Sequence, residues 1–424
     1  MSRSIAASVM FVAIAVATSM CQTDAVSDWN TIMLNTTAAQ NPFTKARFAA
    51  ITSVAVFEAV NACTHQYQPY LGTNTAPADA SPESAAIVAA HDTLEFYFPG
   101  AAASLDAALA ASLAQIPAGP ARDHGVAVGQ ASAAALIALR ANDGSAPATT
   151  FLPTSSAPGF YQLTPPLFAP GILLNWRDVT PFGIKDSKQF RSMPPPDLTS
   201  SKYTKSYIEV ATVGDVNSTA RPQDRSDVAQ YYNIASAVDV WDQVVQQISA
   251  AQGTPLTAKA RAFALVNMAI SDGLISSMES KYFYQRWRPV TAIRAGDTDS
   301  NPNTVANPSF TPFIATPRFP SYPSAHASAS YAARTIVKRI FGGGTESITL
   351  SNAGIPSVVL HYTKLKDITD DIDDARVYGG IHFRYDQEAG GRQGISVGCY
   401  VYAHNLRGLA DSDLSEGDSD DCGE

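Results

Sequence analysis

From Asn41 the chain runs NPFTKARFAAITSVAVFEAVNAC, with apolar residues returning at spacings of three and four. That period predicts a helix, with Asn41 as its cap and Pro42 in its first turn. The stretches ESAAIVAAHDTLEFYF, GAAASLDAALAASLAQI and ARDHGVAVGQASAAALIALRA repeat the pattern, and their many alanines suit helices that approach closely. Helical patterning resumes in RSDVAQYYNIASAVDVWDQVVQQISAA and continues through TAKARAFALVNMAISDGLISSMESKYFYQRW. Alternating runs of β-branched residues bounded by turns are nearly absent, so the expected fold class is all-α, a multi-helix bundle protein and conceivably two packed bundles.

Between the two helical parts, residues 145–204 change to Pro, Ser, Thr and aromatics, as in FLPTSSAPGFYQLTPPLFAPGILLNW. A structureless connection of that length is unusual, so an ordered excursion or a functional loop is expected there. The first 25 residues carry Arg3, an apolar stretch and then small residues, the pattern of an export signal. The chain therefore reads as a signal at 1–25 and one helical domain over 26–424, with a catalytic half at about 226–410 and an acidic, solvated tail at 411–424. A secreted or periplasmic location follows as an expectation.

Composition narrows the partners. The 424 residues are 46% hydrophobic and 16% charged, which suits a large folded core, and the net charge of -9 disfavours nucleic acid and anionic membrane surfaces. No segment after the N-terminal one reads as a membrane span. Cys21, Cys63, Cys399 and Cys422 lack CxxC spacing, which leaves a zinc site of the usual kind unsupported.

Three segments carry candidate chemistry. In SDGLISSMESKYFYQRWRP, Lys281 and Arg288 stand seven apart on the face that holds Phe263, Val266 and Ile270, with Pro289 expected to end the helix. Buried there, the two cations need an anion; at an emerging helix end they would simply reach water. In FPSYPSAHASASYAARTIVKRI, Ser324, Ala325 and His326 fall at a helix N-terminus, where free amides favour an anion and Ser324 adds a hydroxyl. An ordinary serine cap beside an incidental histidine is the plainer reading. In DDARVYGGIHFRYDQEAGG, Arg376 lies in a turn-prone stretch six residues before His382, and Asp386 is one turn beyond His382, placed to take its ring N–H. A surface charge ladder from Arg384 to Glu388 is the alternative.

Together the segments supply two arginines, a lysine, a hydroxyl, free amides and two histidines, the inventory for a tetrahedral oxyanion. Their order, K-x6-R-P, then P-S-x-H, then R-x5-H-x3-D, resembles the superfamily of vanadium-dependent haloperoxidases and type 2 phosphatidic acid phosphatases. Flanks such as KYFYQRWRPVTAIR and ARVYGGIHFRYD look like the long, haloperoxidase-like branch. The resemblance implies vanadate as cofactor, with Lys281, Arg288, Ser324, Arg376 and the Ala325 amide on its oxygens. It implies His382 as the ligand to vanadium, Asp386 behind it and His326 as the acid-base residue. Phe319 aligns with a variable position where a phenyl ring is similar to the chloroperoxidase type. Hydrogen peroxide and halide would be the substrates. The same cage in a phosphatase would act on a phosphomonoester through a phosphohistidine at His382, without a metal. Ala325 in place of the usual Gly, and Ala375 where many members have Ser, leave a third reading, a catalytically weak oxyanion-binding relative.

Overall fold

The computed structural model describes residues 24–72, 75–343 and 347–409. The export signal and the acidic tail lie outside them, except that Asp24 and Ala25 already belong to the fold. Asp24 caps α1 (Ala25–Thr36) through the Ser27 amide and pairs with Lys259. The described residues thus include Asp24 and Ala25, the last two positions assigned to the expected signal.

The first helical part is α2 (Pro42–Thr64), α3 (Pro82–Tyr97), α4 (Ala102–Leu113) and α5 (Pro120–Arg140). Asn41 caps α2 as its sequence predicts, its side chain accepting from the amides of Phe43 and Thr44 at 3.0 and 3.2 Å. By length and composition α2 could cross a membrane, but it is almost wholly buried and packs on α3 and α5. The second part begins with α6 (Ser201–Val213), α7 (Gln223–Ile234) and α8 (Ala237–Ala251), then α9 (Leu256–Tyr284) and the short α10 (Pro289–Arg294). It ends with α11 (Ala325–Phe341), α12 (Leu365–Tyr378) and α13 (Arg384–His404). Among the described residues the only sheet is a two-stranded antiparallel ribbon, β1 (Ile348–Leu350) with β2 (Leu360–Tyr362). The fold is all-α, as its periodicity predicts.

The continuous pattern over residues 225–251 is two helices, because Ala235 is extended and Ser236 starts α8 with a reciprocal cap to Asp239. Helix α9 joins the two parts. It packs on α2 on one side and on α11 and α13 on the other, and one apolar core runs from Val26 to Leu406.

The crossing of α11 and α13 is set by glycines. A Cβ at Gly390, Gly394 or Gly398 would meet the carbonyl oxygens of Ser324, Ser328 and Ala332 at 2.4, 2.2 and 2.6 Å. These residues repeat every four on both helices, so the backbones lie nearly in contact along two turns. The N-terminus of α11 is thereby clamped against the first turn of α13. Gly394→Ala is expected to cost roughly 3 kcal/mol in urea unfolding, since a backbone carbonyl cannot swing away as a flexible side chain can. An unchanged midpoint would mean that this crossing is looser than described.

Residues 145–200 form an ordered strap, which ends short of the expected residue 204 because α6 already begins at Ser201. Three of its amides, on Phe182, Gly183 and Ile184, donate to the buried Asp272 carboxylate of α9 at 2.7, 2.7 and 2.9 Å. Further along it, Arg191 pairs with Glu279. The strap also grips two loops after α9. Tyr161 N donates to Gln285 O (2.6 Å), Trp287 N to Gly159 O (3.0 Å) and Ile172 N to Arg318 O (2.9 Å). Those loops carry Arg288 and Phe319.

Candidate active site

Lys281 occupies the last turn of α9, fully buried, and its ammonium donates to the carbonyls of Pro320 (3.0 Å) and Ser321 (2.6 Å). Arg288 does not continue that helix. Gln285 takes a left-handed conformation (φ 49°) and ends α9, and Arg288 is the extended residue ahead of α10, so Pro289 begins a helix rather than ending one. The seven-residue spacing thus brings the two cations together through a tight turn, not along one face. The Arg288 guanidinium is held by Phe319 O (2.8 Å, from Nε) and by Ile381 O (3.0 Å, from Nη1).

Ser324 caps α11, as predicted. Its hydroxyl oxygen accepts from the Ala327 amide at 3.4 Å, which leaves the hydroxyl hydrogen free to donate. Ala325 opens the helix, where its φ is ordinary for alanine, and the methyl group is buried. The amides of Ala325 and His326 have no acceptor within the helix, because they stand in its first turn.

Arg376 is the main departure from expectation. It lies in the last turn of α12, not in a turn, and its Nη1 donates to Tyr232 O at 3.0 Å. The turn follows it: Gly380 has φ 78°, and the Arg376 carbonyl accepts the amides of Ile381 and His382 at 3.2 and 3.3 Å. That turn folds His382 back beneath Arg288.

His382 is buried, and its Nδ1 lies 2.9 Å from Asp386 Oδ2. A carboxylate there fixes the proton on Nδ1 and leaves the lone pair of Nε2 facing Arg288 Nη1 at 3.1 Å. The same Asp386 oxygen accepts from Phe383 N (3.1 Å) and from the Ser321 hydroxyl (2.6 Å). Ser321 was not singled out in the sequence, where it lies between Pro320 and Pro323. Phe319 lies under both cations, its ring centre 5.3 Å from Lys281 Nζ and 5.0 Å from Arg288 Cζ, with its edge against Phe43.

All the predicted residues therefore converge on one buried region, where three cations face one carboxylate. Burial drives their titration, and mutual repulsion adds to it. The Lys281 ammonium is pushed well below its ordinary range, Arg288 to about 10 and Arg376 to about 9. His326 and His382 are held well below 6.5 by burial and the neighbouring cations, so both are neutral at neutral pH. Asp386 moves up to about 6 through burial, against the opposing pull of the Ser321 hydroxyl and Lys281. His326 is half-buried, and no hydrogen bond to the protein engages its ring among the described residues. Two buried guanidinium nitrogens, Arg288 Nη2 and Arg376 Nε, have no hydrogen-bond partner among the described residues. Unpaired buried donors on cations are costly, and an oxyanion with several acceptor oxygens satisfies them. The donor set fits vanadate or phosphate.

Known proteins are similar to this chain in part of its sequence and in its fold. Residues 261–410, which include every motif from Lys281 to Asp386, match the family model of the VCPO second helical-bundle domain. A 95-residue segment is 34% identical to the vanadium chloroperoxidase of Curvularia inaequalis, over 20% of this chain and 15% of that relative's length. The structure of the first bacterial vanadium-dependent iodoperoxidase superposes with a TM-score of 0.76 at 24% identity, covering 91% of this chain and 96% of that one. A holo-type bacterial vanadium-dependent chloroperoxidase superposes with a TM-score of 0.69 at 16% identity, covering 87% and 93%. The motif-bearing residues 261–410 are thus similar to the VCPO second helical-bundle domain, and the fold as a whole is that of the helical structures just named.

Proposed function

We propose that this protein is a vanadate-dependent haloperoxidase that uses hydrogen peroxide to oxidise halide to hypohalous acid. The observation that carries the reading is the cage itself: three buried cations, two of them with an unpartnered nitrogen, around a histidine whose tautomer a carboxylate fixes. Lys281, Arg288 and Arg376 would hold the oxygens of vanadate, with the Ser324 hydroxyl and the Ala325 amide. His382 would offer Nε2 to the vanadium. Bound vanadate supplies a pentavalent Lewis acid that activates peroxide toward a halide nucleophile.

The remaining work falls to the chain. His326, neutral because burial and three cations disfavour its charged form, can accept a proton from incoming hydrogen peroxide and return it when product leaves. Arg288, still protonated at neutral pH with its pKa at about 10, sets its positive charge against the oxygens on which negative charge gathers, and an anion beside Lys281 favours the charged form of that ammonium. Phe319 covers both cations and limits access of water to them. Export to an oxidising compartment belongs to the same reading and fits the disulfide-bonded Cys399.

The test is reconstitution. Apoprotein titrated with orthovanadate and assayed with hydrogen peroxide and iodide, bromide or chloride is expected to gain halogenating activity in proportion to bound vanadate. Hydrolysis of p-nitrophenyl phosphate, inhibited by vanadate and without any halogenation, would assign the cage to phosphoryl transfer. Binding of vanadate or phosphate with neither activity would mark an oxyanion-binding relative.

A further inference from the structure

We propose that Ser321 is a positioning residue of the site, holding the Asp386 carboxylate in the one orientation that presents His382 to an oxyanion. This rests on the oxyanion reading above. Ser321 is fully buried, and each of its polar groups goes to a different part of the cage. Its amide donates to Arg286 O at 2.9 Å, next to the Arg288 segment. Its carbonyl accepts from the Lys281 ammonium at 2.6 Å. Its hydroxyl donates to Asp386 Oδ2 at 2.6 Å, and the same oxygen atom of Ser321 stands 3.4 Å from His382 Nδ1. One residue thus ties together all three motif segments.

The chemistry of the hydroxyl explains why the side chain matters. A carboxylate can turn about its Cβ–Cγ bond and exchange its two oxygens. In Asp386 all three donors, Ser321 O–H, His382 Nδ1–H and Phe383 N–H, meet on Oδ2, while Oδ1 is buried without a partner. Such a one-sided arrangement holds only while the donors are fixed. Ser321 and Phe383 are fixed by backbone, whereas the imidazole is the part to be oriented. Without the hydroxyl, the carboxylate has one fixed donor left and can turn Oδ1 toward the ring or away from it. The imidazole then samples orientations in which Nε2 no longer points at the space beside Arg288. Ser324 N donates to the Asp386 carbonyl at 2.9 Å, so the backbone on both sides stays put and the change is confined to side chains.

The experiment compares Ser321→Ala, Ser321→Thr and Ser328→Ala by calorimetric titration of the apoproteins with orthovanadate, alongside thermal melts. Ser328 is a matched control: it is buried in the same helix region, its hydroxyl donates to Gly273 O at 2.9 Å, and it lies outside the cage. Loss of an orienting partner behind a ligating histidine weakens affinity by about tenfold or more. Ser321→Ala is therefore expected to raise the vanadate dissociation constant about tenfold, Ser321→Thr to restore it to within about threefold, and Ser328→Ala to lose melting temperature without losing affinity. A Ser321→Ala protein that binds vanadate as tightly as the wild type would overturn the proposal, as would equal affinity losses in Ser321→Ala and Ser328→Ala. Wild-type protein that binds neither vanadate nor phosphate would instead overturn the oxyanion cage, and the role of Ser321 with it.

Discussion

Orthovanadate at about a thousand times its dissociation constant is expected to raise the unfolding free energy of the apoprotein by about 4 kcal/mol, and Arg288→Met to abolish most of that rise. The argument begins with charge. Lys281, Arg288 and Arg376 are buried together, and Asp386 is the carboxylate that opposes them. Protein groups cap part of the cations, but carbonyl dipoles do not cancel a net charge, and Arg288 Nη2 and Arg376 Nε have no hydrogen-bond partner among the described residues. Cations gathered in this way repel one another unless an anion lies among them. An oxyanion that enters relieves this repulsion and satisfies the free donors in one step, so its binding energy appears as stability of the folded state.

Arg288 stands at the centre, since its Nη1 reaches both Ile381 O and His382 Nε2. Removing it leaves the Phe319 and Ile381 carbonyls unpaired, so the variant also melts differently on its own. The informative quantity is the shift caused by vanadate within each protein, which cancels that background. Equal shifts in wild type and Arg288→Met would place the oxyanion elsewhere.

Much of this arrangement is legible in the sequence, and the parts that are not share a cause. Helices α2 and α11 could be predicted with their caps, and α9 as a helix without its true end, because periodicity and capping are local properties, stated by residues a few positions apart. The pairing of His382 with Asp386 was legible for the same reason, since four residues make one helical turn. Arg288 and Arg376 were placed in the wrong local structure. Gln285 ends α9 in a left-handed conformation that a glutamine seldom takes, and α12 continues through an arginine that seemed to belong to a glycine turn. Both conformations are imposed by tertiary contacts, among them the strap carbonyl of Gly159 and the buried carbonyl of Tyr232. Ser321 escaped notice because its role depends on partners from the two other motif segments. The Pro-rich strap carried no period to reveal that it grips the loops bearing Arg288 and Phe319.

Replacing the two histidines by alanine is expected to separate binding from turnover. His382→Ala should raise the vanadate dissociation constant by at least about 100-fold and remove halogenating activity with it. His382 is buried, and its tautomer is fixed by Asp386 at 2.9 Å. Its loss deletes the ligand atom and also leaves the Asp386 carboxylate without its imidazole donor. His326 stands differently. It is half-buried, no hydrogen bond fixes its ring among the described residues, and burial together with the surrounding cations keeps it neutral. A side chain so placed contributes little to holding an anion but is free to take up a proton.

His326→Ala is therefore expected to bind vanadate within about threefold of wild type while its kcat falls by about 10²- to 10³-fold, the usual worth of a positioned acid-base group. Vanadate affinity from calorimetry and kcat from halogenation at saturating vanadate measure the two effects separately. If His326→Ala lost affinity as severely as His382→Ala, the half-buried histidine would be a ligand to the cofactor and its assignment as the proton carrier would fail. If His382→Ala kept its affinity, the carboxylate-fixed Nε2 would not be the atom that meets the metal. The division of labour follows from hydrogen bonding: the ring held by Asp386 presents a fixed Nε2 and binds, and the ring that no bond fixes among the described residues can exchange protons.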